Sequence, residues 1–170
     1  ISPNKIYKKF FKDLQKVLET GKISFFQLRL KKYSFKHKIL IGQKIKKVCK
    51  KNKVKFLIND DPILAKRLCA DGCHLGQKDM TQHRRQRQMC IRDRGITCHN
   101  SITLAKIAIK AKASYIALGA FYSSKTKKTS HEANIKILKK IKKITKTPIV
   151  AIGGINSENY KNLLLNNANF

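Results

Sequence analysis

The strongest constraint on this chain is a rhythm, in which short apolar segments recur and each is separated from the next by a longer stretch. The apolar segments are SFFQLRL (24–30), VKFLIND (54–60), DGCHLG (71–76), GITCH (95–99), YIALGAF (115–121) and PIVAIGG (148–154). Their length and bounding turn residues predict strands. Between them, Phe10, Leu14, Val17 and Leu18 mark one helical face, Ile41, Ile45 and Val48 a second, and Ile135, Leu138, Ile141 and Ile144 a third. Crossovers of this kind join parallel strands through a packed helix, so the expected class is α/β. Near-continuous apolar strands leave a doubly wound sheet or a closed (β/α)8 barrel. A doubly wound sheet gathers its ligand groups at one switch point, whereas a barrel brings residues from almost every strand to a common mouth. Nearly every strand here ends in chemically useful residues, which selects the barrel.

Composition narrows the partners. At 170 residues with 42% hydrophobic content the chain is one domain or part of one. A formal charge of +30 raises nucleic acid or an anionic membrane as partner. The lysines are spread through nearly every helical stretch, however, without the aromatic interleaving of a base-stacking surface, and read as a solvated face. No apolar run reaches the roughly 20 residues of a membrane span. Five cysteines without a CxxC pair or a secretory leader point to a reducing compartment, hence a cytoplasmic protein. Cys69, Cys73 and His74 lack a second half for a zinc site, and His74, His99 and His131 read as packing residues.

The strand ends carry the polar chemistry. Gln27, Arg29 and Lys31 alternate with Leu28 and Leu30, which places the three on one face. An Arg beside a Lys suits a diphosphate. The chain has only nine acidic residues, yet Asp60, Asp61, Asp71 and Asp79 fall within about one βα repeat. Carboxylates at two successive strand ends can share one Mg²⁺, which takes few protein oxygens and is completed by water and substrate phosphate. Asp61 precedes Pro62 and is expected to cap a helix, and Asp71 to belong to a turn. The loop Tyr122 to Lys127 offers hydroxyls, amides and lysines to a phosphate. Gly153 and Gly154 allow close approach of main chain to a ligand, with Asn156 or Ser157 capping the helix beyond.

Taken in order, QLRLK, INDD, ADGCHLGQKDM, GITCHN, ALGAFYSSKTKK and AIGGIN resemble the thiamine-phosphate synthase family along almost the whole chain. The resemblance implies a (β/α)8 TIM barrel that joins 4-amino-2-methyl-5-(diphosphooxymethyl)pyrimidine to a (carboxy)thiazole phosphate, releasing pyrophosphate, with Mg²⁺ assisting. It implies that Gln27, Arg29, Lys31 and Asn59 bind the pyrimidine diphosphate, that Asp60 and Asp79 hold Mg²⁺, and that Thr97 touches the same substrate where the family usually has Ser. Lys127 would meet the diphosphate, with Arg29, Lys31 and Lys127 as the catalytic cations. Ser124, where Thr is usual, Lys125 and Thr126 would bind the thiazole phosphate, to which Gly154 would offer its amide.

Two departures are expected to matter. Residues 1–170 read as a single incomplete barrel domain, with most of the first strand and all of the last missing, so that activity belongs to a longer parent enzyme. Residues 82–94 form an Arg-rich stretch holding five of the chain's seven arginines, Arg84, Arg85, Arg87, Arg92 and Arg94. There RQRQMCIRDR reads as translated adapter DNA standing in place of native residues, and Asp93 and Arg94 put charge where a buried strand should run. Two other functions compete: a related barrel that isomerises the thiazole phosphate, and a basic nucleic-acid-binding protein using the Arg-rich stretch. The first lacks a use for QLRLK, Asn59, Asp60 and Asp79.

Overall fold

The computed structural model describes residues 1–77, 93–123 and 132–170. Over these residues the chain forms two compact units, 1–75 and 76–77 with 93–123 and 132–170.

In the first unit, α1 (Phe10–Glu19), β1 (Phe25–Leu28), α2 (Phe35–Lys51), β2 (Lys55–Asn59), α3 (Pro62–Arg67) and β3 (Gly72–Leu75) follow in order. The strands pair in parallel as β1-β2-β3, with Gln27 opposite Leu57 and Asn59 opposite His74. Phe10, Leu14 and Leu18 of α1 are buried one turn apart, and with Ile45 and Cys49 of α2 they pack on Phe26, Leu28, Phe56 and Ile58. Each large apolar side chain buried this way contributes about 1.5–3 kcal/mol. Val17 does not share the face expected of it: it is 51% exposed, because the stripe at 10, 14 and 18 runs beside it.

Two acids fix the local frame. Asp61 accepts a hydrogen bond from Leu64 N at 2.9 Å, and Pro62 occupies the first turn of α3, as the Asp-Pro pair predicts. Asp71 does more than make a turn. Its Oδ2 accepts from Phe56 N at 2.8 Å, tying the start of β3 to the start of β2, at the strand ends opposite Asn59.

The second unit contains β4 (Asp93–His99), α4 (Ile102–Lys110), β5 (Tyr115–Gly119), α5 (Lys136–Lys142), β6 (Ile149–Ile152) and α6 (Tyr160–Leu165). Its strands pair in parallel as β4-β5-β6. β5 is buried at all five positions, the signature of a strand covered on both faces. Ile96, Ile116, Leu118, Leu138, Ile141 and Ile149 form the core with Leu163. Ile144 lies beyond the end of α5 and is 46% exposed, so the third helical face is shorter than its periodicity suggests. Ser101 caps α4 through Leu104 N. Arg94, at the start of β4, keeps its charge at the strand end: Nη2 donates to Lys112 O at 2.9 Å, and the main-chain N to Ser114 Oγ.

Candidate active site

The alternation at β1 continues past the strand. Phe26, Leu28 and Leu30 are buried, while Gln27 and Arg29 are half-buried and Lys31 is exposed. β2 delivers Asn59 beside them. Gln27 Nε2 donates to Asn59 Oδ1 at 2.6 Å, and Asn59 Nδ2 donates to Asp60 Oδ2 at 2.6 Å. Lys31 Nζ lies 3.7 Å from the same oxygen. Two amides, a carboxylate and an ammonium thus run in one line across the ends of two neighbouring strands. Asp60 adopts φ 61°, a left-handed conformation that Asp tolerates better than most residues, and its N–H donates to His74 O at 2.8 Å. The turn carries Asp60 off the strand and Asp61 into its cap.

Asn59, Asp60 and Lys31 border a cavity of about 450 Å³, lined also by Arg29, Lys38 and Asp61. Its apolar lining comes from Leu28, Leu30, Ile58, Pro62, Ile63 and Leu64. An apolar lining with a few convergent polar groups is the usual form of a small-molecule site. Three cations, Arg29, Lys31 and Lys38, outnumber two carboxylates, Asp60 and Asp61, which suits an anionic ligand.

In the second unit, Thr97 is buried in β4, and its carbonyl accepts a hydrogen bond from the Gln77 side chain. Gly154 has φ 63°, and a Cβ there would stand 2.2 Å from Ser123 O. Glycine is therefore required at this position by the protein's own Tyr122–Ser123 main chain. Asn159 Nδ2 donates to Gly154 O at 3.0 Å. Asn156 Oδ1 accepts from Glu158 N and Asn159 N, making the turn before α6, while Asn159 holds the N-cap position without a side-chain cap bond.

The structure therefore brings Arg29, Lys31, Asn59 and Asp60 to one cavity, and Gln27 is joined to them through Asn59. Asp79, Ser124, Lys125, Thr126, Lys127 and His131 lie outside the described residues, as does most of the Arg-rich stretch. His74 is buried, in keeping with a packing role. Among the described residues no group of three or more His, Cys, Asp or Glu side chains gathers as a metal cage, and none of the helices is long and apolar enough to cross a membrane. Sequence reasoning passed over Ser2 and Asn4, both of which reach Arg29. The only local signal was the turn-forming Ser-Pro-Asn composition.

Parallel strands alternating with helices, and an anion-suited site at their ends, define an α/β enzyme of small phosphorylated molecules. The model of the family "Thiamine monophosphate synthase" matches residues 1–170. Thiamine-phosphate synthase of Pelagibacter ubique is 61% identical over 100% of this chain and 83% of its own length. That of Erythrobacter litoralis is 35% identical over 100% of this chain and 82% of its own. Among solved structures, a thiamine phosphate pyrophosphorylase from Pyrococcus furiosus superposes with a TM-score of 0.83 at 25% identity, covering 95% of this chain and 77% of that one. The chain belongs to the thiamine monophosphate synthase family, transferases of thiamine biosynthesis.

Proposed function

We propose that the chain joins the pyrimidine carried as its methyl diphosphate to the (carboxy)thiazole phosphate, releasing pyrophosphate, at the cavity bounded by β1 and β2. The observation that carries this reading is the line Gln27–Asn59–Asp60–Lys31, which sets recognition amides and counter-charge beside one another. Arg29 and Lys31, with Lys127, bind the diphosphate and neutralise the charge that grows on its bridging oxygen as the C–O bond breaks. Gln27, Asn59 and Thr97 hold the pyrimidine end. Ser124, Lys125, Thr126 and the Gly154 amide receive the thiazole phosphate. No protein nucleophile is needed, because loss of pyrophosphate leaves a pyrimidine methylene cation to which the thiazole nitrogen bonds.

The donor set at Asp60 fits Mg²⁺: a hard carboxylate on a cavity, its side chain 30% exposed, with room for water and substrate oxygens. Asp60 and Asp79 would hold the ion, which supplies charge neutralisation to the leaving pyrophosphate. A (β/α)8 frame is supported by the parallel strands and by main-chain bonds on their flanks, from Ser2 N to Gln27 O and from Asn169 N to Ile149 O, each 2.8 Å. A cytoplasmic setting is supported by Cys49, Cys69, Cys73 and Cys98, which form no disulfide among the described residues.

Pyrophosphate release measured with both substrates tests the reading. Asp60→Ala is expected to lower the rate by roughly 100-fold or more at limiting Mg²⁺. An unchanged rate there would overturn the metal assignment.

A further inference from the structure

Arg29 is held from outside the strand that carries it. Ser2, 6% exposed, brackets its main chain: Oγ accepts from Arg29 N at 2.9 Å and donates to Arg29 O at 3.4 Å, while Ser2 N donates to Gln27 O. Two residues on, Asn4 Oδ1 accepts from Arg29 Nη1 at 3.0 Å. Ile6 N then donates to Tyr33 Oη at 3.0 Å, which pins the far end of the same segment.

Alternate residues of this segment thus touch residues 27 to 33, and the one that meets the guanidinium is a neutral amide. The choice has a chemical consequence. A free Arg side chain samples many rotamers, and a ligand that needs one of them bears the entropy of fixing it. A carboxylate at position 4 would fix the side chain and cancel part of its charge. Asn4 fixes it through one N–H and leaves the charge and the remaining donors for an anion.

We propose that Ser2 and Asn4 are positioning residues that pre-set Arg29 for the diphosphate, Ser2 through the main chain and Asn4 through the guanidinium. The proposal rests on the reading that Arg29 binds that group.

The test is binding of inorganic pyrophosphate to the whole chain by calorimetry, without added divalent cation so that Asp60 does not enter. Arg29→Ala is expected to weaken binding strongly, and Asn4→Ala to weaken it roughly threefold to tenfold. Because Asn4 is exposed, its variant should melt as the unchanged chain does. In an Arg29→Lys background, which lacks Nη1, Asn4→Ala should change nothing further. Wild-type affinity in Asn4→Ala alongside weak binding by Arg29→Ala would overturn the positioning role and leave the Arg29 reading standing. So would an Asn4→Ala effect of equal size in both backgrounds. Undiminished binding by Arg29→Ala, or no binding by the unchanged chain, would instead remove the Arg29 reading itself and the proposal with it.

Discussion

At the ends of β1 and β2 the chain presents long polar side chains, whereas at the ends of β5 and β6 it presents main chain. Gln27, Arg29, Lys31 and Asp60 stand outside the core that Phe26, Leu28, Phe56 and Ile58 help to form. Gly119 and Gly154 sit against other main chain: a Cβ on Gly119 would lie 2.1 Å from Ile152 O, and one on Gly154 would lie 2.2 Å from Ser123 O. Phe121 N and Tyr122 N donate to Ile152 O and Gly153 O, so the loop after β5 is stitched to the end of β6. Chemistry carried by side chains can be altered without loss of the fold. Chemistry carried by backbone amides is tied to the packing that positions them.

The contrast is open to attack first where its effect is largest. Arg29→Ala is expected to cut catalytic efficiency for the pyrimidine diphosphate by roughly 100-fold. Its urea midpoint should hold to within about 0.5 kcal/mol of stability. A large loss of stability would show that the first region is structural after all. Gly154→Ala should do the reverse, lowering stability by roughly 2 kcal/mol in urea titration, because the new Cβ meets main chain and the φ is left-handed. A native midpoint in that variant would break the comparison from the other side.

A smaller effect separates strand ends from interiors. Cys49 in the first unit and Cys98 in the second are wholly buried, and burial pushes both thiols up to about 12 from an ordinary 9.0. At pH values between these limits the unfolded thiol has lost its proton and the folded one has kept it. The unfolded state then binds fewer protons, so stability falls as pH rises. The contribution is complete below pH 9 and is lost toward about pH 12. Replacing Cys98 with Ala should therefore cost less at about pH 10.5, above the onset, than at about pH 8, below it, as urea midpoints of the two proteins will show. Cys49→Ala should behave alike, its thiol being raised by burial first and by the nearby Asp71 carboxylate second. In the native protein, iodoacetamide should label exposed Cys69 ahead of Cys49, Cys73 and Cys98.

Much of this was legible in the residues. The six apolar segments all became strands, and each observed strand begins or ends within a few positions of its segment, because a strand buried on both faces needs an unbroken apolar run. The expected alternation at Gln27, Arg29 and Lys31 is the one observed. Helical faces were less exact. Val17 and Ile144 are apolar and suitably spaced, yet one flanks the stripe that packs and the other follows the end of its helix. Spacing says which residues can share a face, while the neighbouring element selects which of them are covered.

The four clustered acids show where sequence and tertiary structure divide the work. Sequence by itself determined that acids gather after two strands of a lysine-rich chain, and the local Asp-Pro pair determined the cap at Asp61. It set Asp71 apart as a turn residue but could not name what Asp60 or Asp71 meets, because a carboxylate is directed by the N–H or cation it meets. Asp71 meets Phe56 N, fifteen positions away, and closes the start of the sheet. Asp60 meets Asn59 and Lys31 at the rim of the cavity. Asn4 found Arg29 in the same way, across twenty-five positions. Such pairings depend on strand register and on how the chain returns, and only the folded sheet sets those distances.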